Sequence, residues 1–234
     1  MQAEGNRRQR LLRLAAGASF LAIAAVIVLI VVNSSSSGSG GDVQLEGAHE
    51  VNKMLKGIPQ YGLVLGDEEA PVELIEYGDL QCPVCKGYAE EILPPIIQTQ
   101  VRSGRVKISF RNFPIIGPQS APAGTAALAA GYEHRGWNYL EIFYRNQGEE
   151  NSEYADEDFL KAVAKAAGVK NMDRWEKSLE TLAFESEITA KQAEKLGFSG
   201  TPSFAIVGPG TDGVEALGTP QSTEALEEAI AQAE

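Results

Sequence analysis

The sequence predicts an α/β fold: one sheet-bearing domain interrupted by an all-helical insertion. Three observations carry this. Strand-like segments occur at 58–118 and again at 197–234. Residues 119–196 between them carry almost no strand signal and read as successive helices. The first sheet segment also holds Cys82-Pro83-Val84-Cys85, the only two cysteines in 234 residues, between a β-rich run and a helical run. Two strand-bearing segments flanking a helical block are most simply joined in one sheet.

The chain begins with a basic tail, residues 1–13, in which Arg7, Arg8, Arg10 and Arg13 precede an uncharged run of 19 residues, Leu14 to Val32. About 20 apolar residues span a bilayer as a helix. The arginines fit the rule that positive flanks stay in the cytoplasm. The run ends Val-Val-Asn-Ser-Ser without a small-residue cleavage pattern, so an uncleaved single-pass anchor at 14–32 is expected over a cleaved signal. Residues 34 onward are then expected outside the plasma membrane, in a compartment that permits disulfides. Residues 33–57 read as a flexible linker, Ser/Gly-rich at first and then polar, with His49 solvated.

The folded domain is expected from Ile58. Tyr61 to Leu65 reads as an edge strand and Val72 to Tyr77 as a central one. Glu73 and Glu76 do not fit a simple exposed face, so one of them points inward or toward the cysteines, unless both are strand-end charges. Glu76, six residues before Cys82, is the candidate. The helix after Cys85 should bury Tyr88, Ile92 and Ile96, with Pro94-Pro95 kinking or breaking it. Val106 to Phe113 alternates as a second strand. In the insertion, Ala121 to Gly131, the spacing of Trp137, Leu140, Phe143 and Tyr144, Asp156 to Gly168, Trp175 to Leu182 and Ile188 to Leu196 read as helices. Their aromatics read as core, and His134 as a surface or packing residue. Ser203 to Val207 and Val214 to Leu217 resume the sheet, and Thr219 to Ala233 is a terminal helix.

The chemistry lies in the cysteine pair. A helix N-terminus offers unpaired N–H groups and a positive dipole. Both favour a thiolate, so Cys82 should titrate below the ordinary ~8.5 and be the exposed, reactive thiol, with Cys85 shielded. Pro83 suits the first helical position. A structural zinc site needs about four ligands, and the chain offers one cysteine pair and two distant histidines. A static disulfide this short would close almost no loop. A redox pair is the better reading. The formal charge of −12 argues against a nucleic-acid partner.

Four stretches carry a resemblance: Val72 to Cys85, Phe110-Arg-Asn-Phe-Pro114, Ala126 to Trp137, and Gly197-Phe-Ser-Gly-Thr-Pro202. On these the chain resembles the DsbA family of thioredoxin-fold thiol–disulfide oxidoreductases, above all its membrane-anchored bacterial branch, over roughly residues 60–234. The resemblance implies a thioredoxin-like domain at 58–118 and 197–234 with a helical insertion at 119–196. It implies Cys82 as nucleophile and Cys85 as resolving partner, with Pro83 and Val84 as the variable pair between them. Pro202 would be a cis-proline facing the disulfide, and Thr201 would pair its backbone with an extended substrate. Glu76 would be a buried acid serving Cys85, with Arg111 or Lys107 as its basic partner. No cofactor is implied beyond the Cys82–Cys85 disulfide. The implied partners are reduced, unfolded exported proteins and a membrane reoxidant. A dithiol oxidase is the expected activity. A reductase or isomerase on the same fold, and a redox-independent chaperone, are the alternatives.

Overall fold

Val72–Gly78 (β3) is buried on both faces, save for the half-buried Glu73, as a strand covered on both sides is, and the sheet grows outward from it. The computed structural model describes residues 43–234. Before β3 come a helix, α1 (Ala48–Met54), and two short strands, β1 (Gln60–Tyr61) and β2 (Val64–Leu65). After it come a long helix, α2 (residues 83–101), and β4 (Val106–Asn112). The insertion holds α3 (Ser120–Gly131), α4 (Gly136–Arg145), α5 (Glu157–Ala167), α6 (Met172–Leu182) and α7 (Glu185–Lys195). The chain closes with β5 (Ser203–Val207), β6 (Glu215–Gly218) and α8 (Thr223–Ala233).

The strand order is β1-β2-β4-β3-β5-β6. β4 runs parallel to β3, and the remaining neighbours are antiparallel. Successive side chains of β3 point to opposite faces. Val72 and Leu74 join the large core with residues of α2 and α8. Ile75 and Tyr77 join a smaller cluster with Phe113, Ala193 and Phe198 beneath α7. The sheet therefore unites the two halves expected from the sequence, with the helices inserted between β4 and β5.

The expected membrane span, residues 14–32, lies outside the described residues, as do residues 33–42 of the linker. Among the described residues no helix is long and apolar enough to cross a membrane. The end of the expected linker is corrected: 48–54 is helical, and Val51 and Leu55 are buried in the core. Val51, Leu55 and Ile58 recur at i, i+4 and i+7, one face of a helical turn and its exit. Asn52 fixes α1 to the insertion, donating to the Ala166 carbonyl (3.1 Å) and accepting from Asn138 Nδ2 (2.7 Å).

The expected edge strand is a two-stranded hairpin turning at Gly62-Leu63. Gly62 takes φ 54°, a left-handed value that favours glycine. Its carbonyl oxygen comes so close to the insertion that a Cβ on Gly131 or Gly136 would stand 2.4 or 2.5 Å from it. Trp137 Nε1 donates to the Leu63 carbonyl at 3.0 Å. Thus the two glycines and the tryptophan lock the insertion to the sheet edge.

Pro94-Pro95 neither ends nor breaks α2. The helix is α-helical at Pro83–Gly87 and Leu93–Ile96 and widens to i→i+5 bonding at Tyr88–Ile92 and Ile97–Val101. Prolines donate no N–H, and a widened turn relieves the clash of a proline ring with the preceding carbonyls. The widening also rotates the buried stripe: Leu93, Ile96 and Ile97 are buried, and Ile92 is only half-buried. The last helix starts later than expected, at Thr223, because Pro220 disfavours helical geometry at Thr219 and Ser222 caps the N-terminus.

Candidate active site

The carboxylate of Asp79 builds the loop that delivers the cysteines. It accepts from the backbone N–H of Gln81 (2.8 Å), Ile115 (2.8 Å) and Ile116 (2.9 Å), while its own carbonyl accepts from Cys82 N (2.9 Å). The chain then turns into α2 with Cys82 as N-cap and Pro83 at the first helical position. Cys82 Sγ itself accepts from the backbone N–H of Cys85 at 3.4 Å. Gln147, just past α4, grips this loop from the insertion: its Nε2 donates to the Leu80 carbonyl (2.7 Å) and the Cys82 carbonyl (3.0 Å). Nothing in the local pattern around Gln147 announces this role.

Both thiols are free, and their environments differ. The Cys85 thiol is the largest influence lowering Cys82 to about 6; the N–H groups of Cys85 and Val84 act the same way, against burial. Cys85 is pushed well above an ordinary thiol, first by burial, then by its bond to Cys82 and the charge of Glu76. One sulfur is therefore poised as a thiolate and the other held as a thiol. The expectation of an open Cys82 is corrected: Cys82 is 3 % exposed and Cys85 0 %. The Thr201 carbonyl stands 3.3 Å from Cys82 Sγ and covers it. Val84 is the open residue of the motif, 53 % exposed.

The Thr201-Pro202 peptide bond is cis. Pro202 is buried, and its carbonyl accepts from Thr219 Oγ1 at 2.9 Å. The loop before β5 thus brings Thr201 to the sulfur that caps α2, although 119 residues separate the two in sequence.

Glu76 is 2 % exposed, and its Oε1 has no hydrogen-bond partner among the described residues. Burial pushes it up to about 8, aided by the charges of Glu141 and Cys82. Neither expected basic partner reaches it. Arg111 lies 4.0 Å from Glu73, and Lys107 donates to the Glu68 carbonyl at 2.7 Å. The reason is the pleat: Lys107 pairs with Glu73 and Arg111 with Tyr77 across the β3–β4 ladder. Both therefore share the face of Glu73 and lie opposite Glu76. The charge felt by Glu76 from the insertion is that of a second buried acid, Glu141 on α4, and it raises Glu76 further.

Comparison with known proteins fits this geometry. The family model described as Thioredoxin matches residues 59–232. A "Probable disulfide bond formation protein D" of Bacillus cereus is 31% identical over 150 residues, covering 62% of this chain and 69% of that one. The crystal structure of oxidised BdbD from Bacillus subtilis superposes with a TM-score of 0.65 at 25% identity, covering 75% of this chain and 95% of that one. The crystal structure of alpha-DsbA1 from Wolbachia pipientis, 21% identical, shares the fold with a TM-score of 0.62 over 73% of this chain and 89% of its own.

Proposed function

This chain belongs to the DsbA family of thioredoxin-fold thiol–disulfide oxidoreductases, and from that premise we propose that it works outside the cytoplasm as a dithiol oxidase of exported proteins. The observation that carries the direction is the asymmetry of the two thiols, Cys82 lowered to about 6 and Cys85 raised. Stabilising the Cys82 thiolate stabilises the reduced enzyme, and a stable reduced form makes its disulfide a stronger oxidant. Lowering Cys82 from 9.0 to about 6 stabilises the reduced form at pH 7 by on the order of 1.4 kcal/mol, or ~30 mV for a two-electron couple, because the rest of the shift is felt only as pH rises toward 9.

In the proposed cycle a substrate thiolate attacks Cys82 Sγ, forms a mixed disulfide and expels the Cys85 sulfur, which is protonated. A second substrate thiolate attacks the substrate's sulfur and expels the Cys82 thiolate. The substrate leaves oxidised, and the enzyme holds the two electrons as a thiolate and a thiol. The cysteines are the only redox group this cycle needs. Pro83 and Val84 shape the approach to Cys82, and the backbone at Thr201 and Pro202 is the docking edge for an extended chain, which suits an enzyme acting on many unfolded substrates. A membrane reoxidant completes turnover, and the apolar run 14–32 holds the enzyme near it.

The test is oxidative refolding of a reduced, unfolded protein by stoichiometric oxidised enzyme, with Cys82→Ser as control. Rapid, Cys82-dependent transfer supports the oxidase. Failure to oxidise the substrate, with ready reduction or reshuffling of disulfides instead, points to a reductase or isomerase. A reporter fused after Glu234 and active only in the cytoplasm would overturn the location.

A further inference from the structure

The loop that covers Cys82 carries three successive carbonyls, and the fold satisfies two of them from outside the cysteine motif. The Gly200 carbonyl accepts from Ser203 Oγ at 2.7 Å, and the Pro202 carbonyl accepts from Thr219 Oγ1 at 2.9 Å. The Thr201 carbonyl between them has one partner among the described residues, Cys82, whose S–H donates to it at 3.3 Å. Backbone carbonyls are obligatory acceptors, so a lost partner must be replaced by water or by another donor. Both cysteines are free thiols, and the contact therefore belongs to the dithiol protein. It needs the hydrogen on sulfur, which a thiolate or a disulfide sulfur does not have. The Thr201 backbone is also the docking edge for an extended chain. The loop has room to yield to one, because a Cβ on Gly197 or Gly200 would meet nothing within 4 Å.

We propose that the Cys82 S–H is a cap on the docking edge: in the reduced, protonated enzyme it occupies the Thr201 carbonyl, and oxidation or ionisation of Cys82 frees that carbonyl for a backbone N–H of the substrate. The inference rests on the docking edge of the proposed function and adds its regulation. The oxidised enzyme has no S–H and presents the carbonyl to an incoming chain. At the end of the cycle Cys82 leaves as a thiolate. When it takes a proton from water, the new S–H closes onto the carbonyl and displaces the oxidised product. The cap thus favours the meeting of oxidised enzyme with substrate over that of spent enzyme with product. It senses main-chain N–H groups, so the ligand it governs is a polypeptide.

The titratable groups around Cys82 are Cys85 on α2, Glu76 on β3, Tyr144 on α4 and Asp79 in the loop before it, and residues 197–202 carry none. Burial raises Cys85, Glu76 and Tyr144. Cys82 titrates at about 6, so it is the group whose protonation changes between pH 5 and pH 7.

The experiment measures binding of a labelled, unstructured peptide to the full-length protein by fluorescence anisotropy at pH 5 and pH 7. The peptide carries serine where a substrate carries cysteine, so no disulfide forms. Oxidised protein should bind it equally at both pH values. Reduced protein should lose on the order of fivefold in affinity at pH 5, where only the ionised minority is uncapped. By linkage, saturating peptide should lower the Cys82 midpoint, read by thiolate absorbance. Two variants that do not titrate in this range isolate the donor. Cys82→Ser keeps a hydroxyl and should bind weakly at both pH values, whereas Cys82→Ala should bind as the oxidised protein does. The same pH dependence in oxidised and reduced protein, or equal affinity of Cys82→Ser and Cys82→Ala, would overturn the cap and leave the docking edge standing. A peptide that binds no form of the protein would overturn the docking edge, and the cap with it.

Discussion

Cys82 Sγ caps the helix it begins, accepting the backbone N–H of Cys85 at 3.4 Å. The nucleophile is thus stabilised by the same atoms that terminate the helix, and no cationic side chain is needed. Replacing the Cys85 thiol removes the largest single influence that lowers Cys82. In Cys85→Ala the midpoint of Cys82 alkylation should therefore rise from about 6 toward the ordinary thiol value, while the backbone bonds keep it from rising fully. An unchanged midpoint would assign the effect to the helix N-terminus alone.

The reduced and oxidised forms should respond differently to pH. In the folded reduced protein Cys82 titrates at about 6, against 9.0 for an ordinary thiol. A lowered pKa contributes stability that is present above the unfolded value and lost as pH falls through the folded one. The stability advantage of the reduced form should shrink between pH 9 and pH 6, and paired denaturant titrations of the two forms measure it. Equal curves for the two forms across this window would contradict the assignment.

The buried carboxyls act with the opposite sign. Glu76 and Glu141 are raised from 4.5 to about 8, so the stability they contribute is present below about 4.5 and lost as pH rises through about 8. Glu76→Gln should flatten that decline in both redox forms. Denaturation midpoints across pH 5 to 8.5 read this directly, and a variant as steep as the native protein would place the titration elsewhere.

Gln147→Ala should destabilise the protein by roughly 1–3 kcal/mol, because the Leu80 and Cys82 carbonyls lose a shared donor in a half-buried site. The loosened loop should also broaden the rate of Cys82 alkylation among molecules or change it outright. Loss of stability with no change in that rate would make Gln147 a purely structural clamp.

Gly131→Ala should cost roughly 1–3 kcal/mol, since its Cβ would meet the Gly62 carbonyl oxygen at 2.4 Å. The clash lies at the seam between insertion and sheet edge. Chemical denaturation reads the loss, and a neutral substitution would mean that the hairpin shifts freely.

The sequence showed the fold through its strongest periodicities. Phe159, Leu160 and Val163 mark α5, with Asp156 as its cap and Gly168 at its end, and the alternation of Val106, Ile108 and Phe110 marks β4. Short or compensated elements were less legible. The helix at Ala48–Met54 offers two apolar anchors in a polar stretch, and Pro94-Pro95 sit in a helix whose widened turns no local rule foresees. In the site, Cys82 and Cys85 stand out because no other cysteine competes with them. Glu76 could be suspected from its place on β3, but its surroundings could not. Gln147 reaches the cysteine loop from an insertion folded over it, and that meeting depends on helix packing across sixty-odd residues of chain. The absence of Arg111 and Lys107 from the Glu76 side follows from the β3–β4 register, which becomes known only when the strands are paired.

The most direct measurement is the equilibrium reduction potential of the Cys82–Cys85 pair in the full-length protein, titrated against glutathione and read by alkylation of the two thiols. The lowered Cys82 predicts a pair more oxidising than the glutathione couple, shifted at pH 7 by on the order of 30 mV from a pair with an ordinary nucleophile. A potential near the ~−270 mV of a reducing thioredoxin would contradict the account and make the protein a reductant.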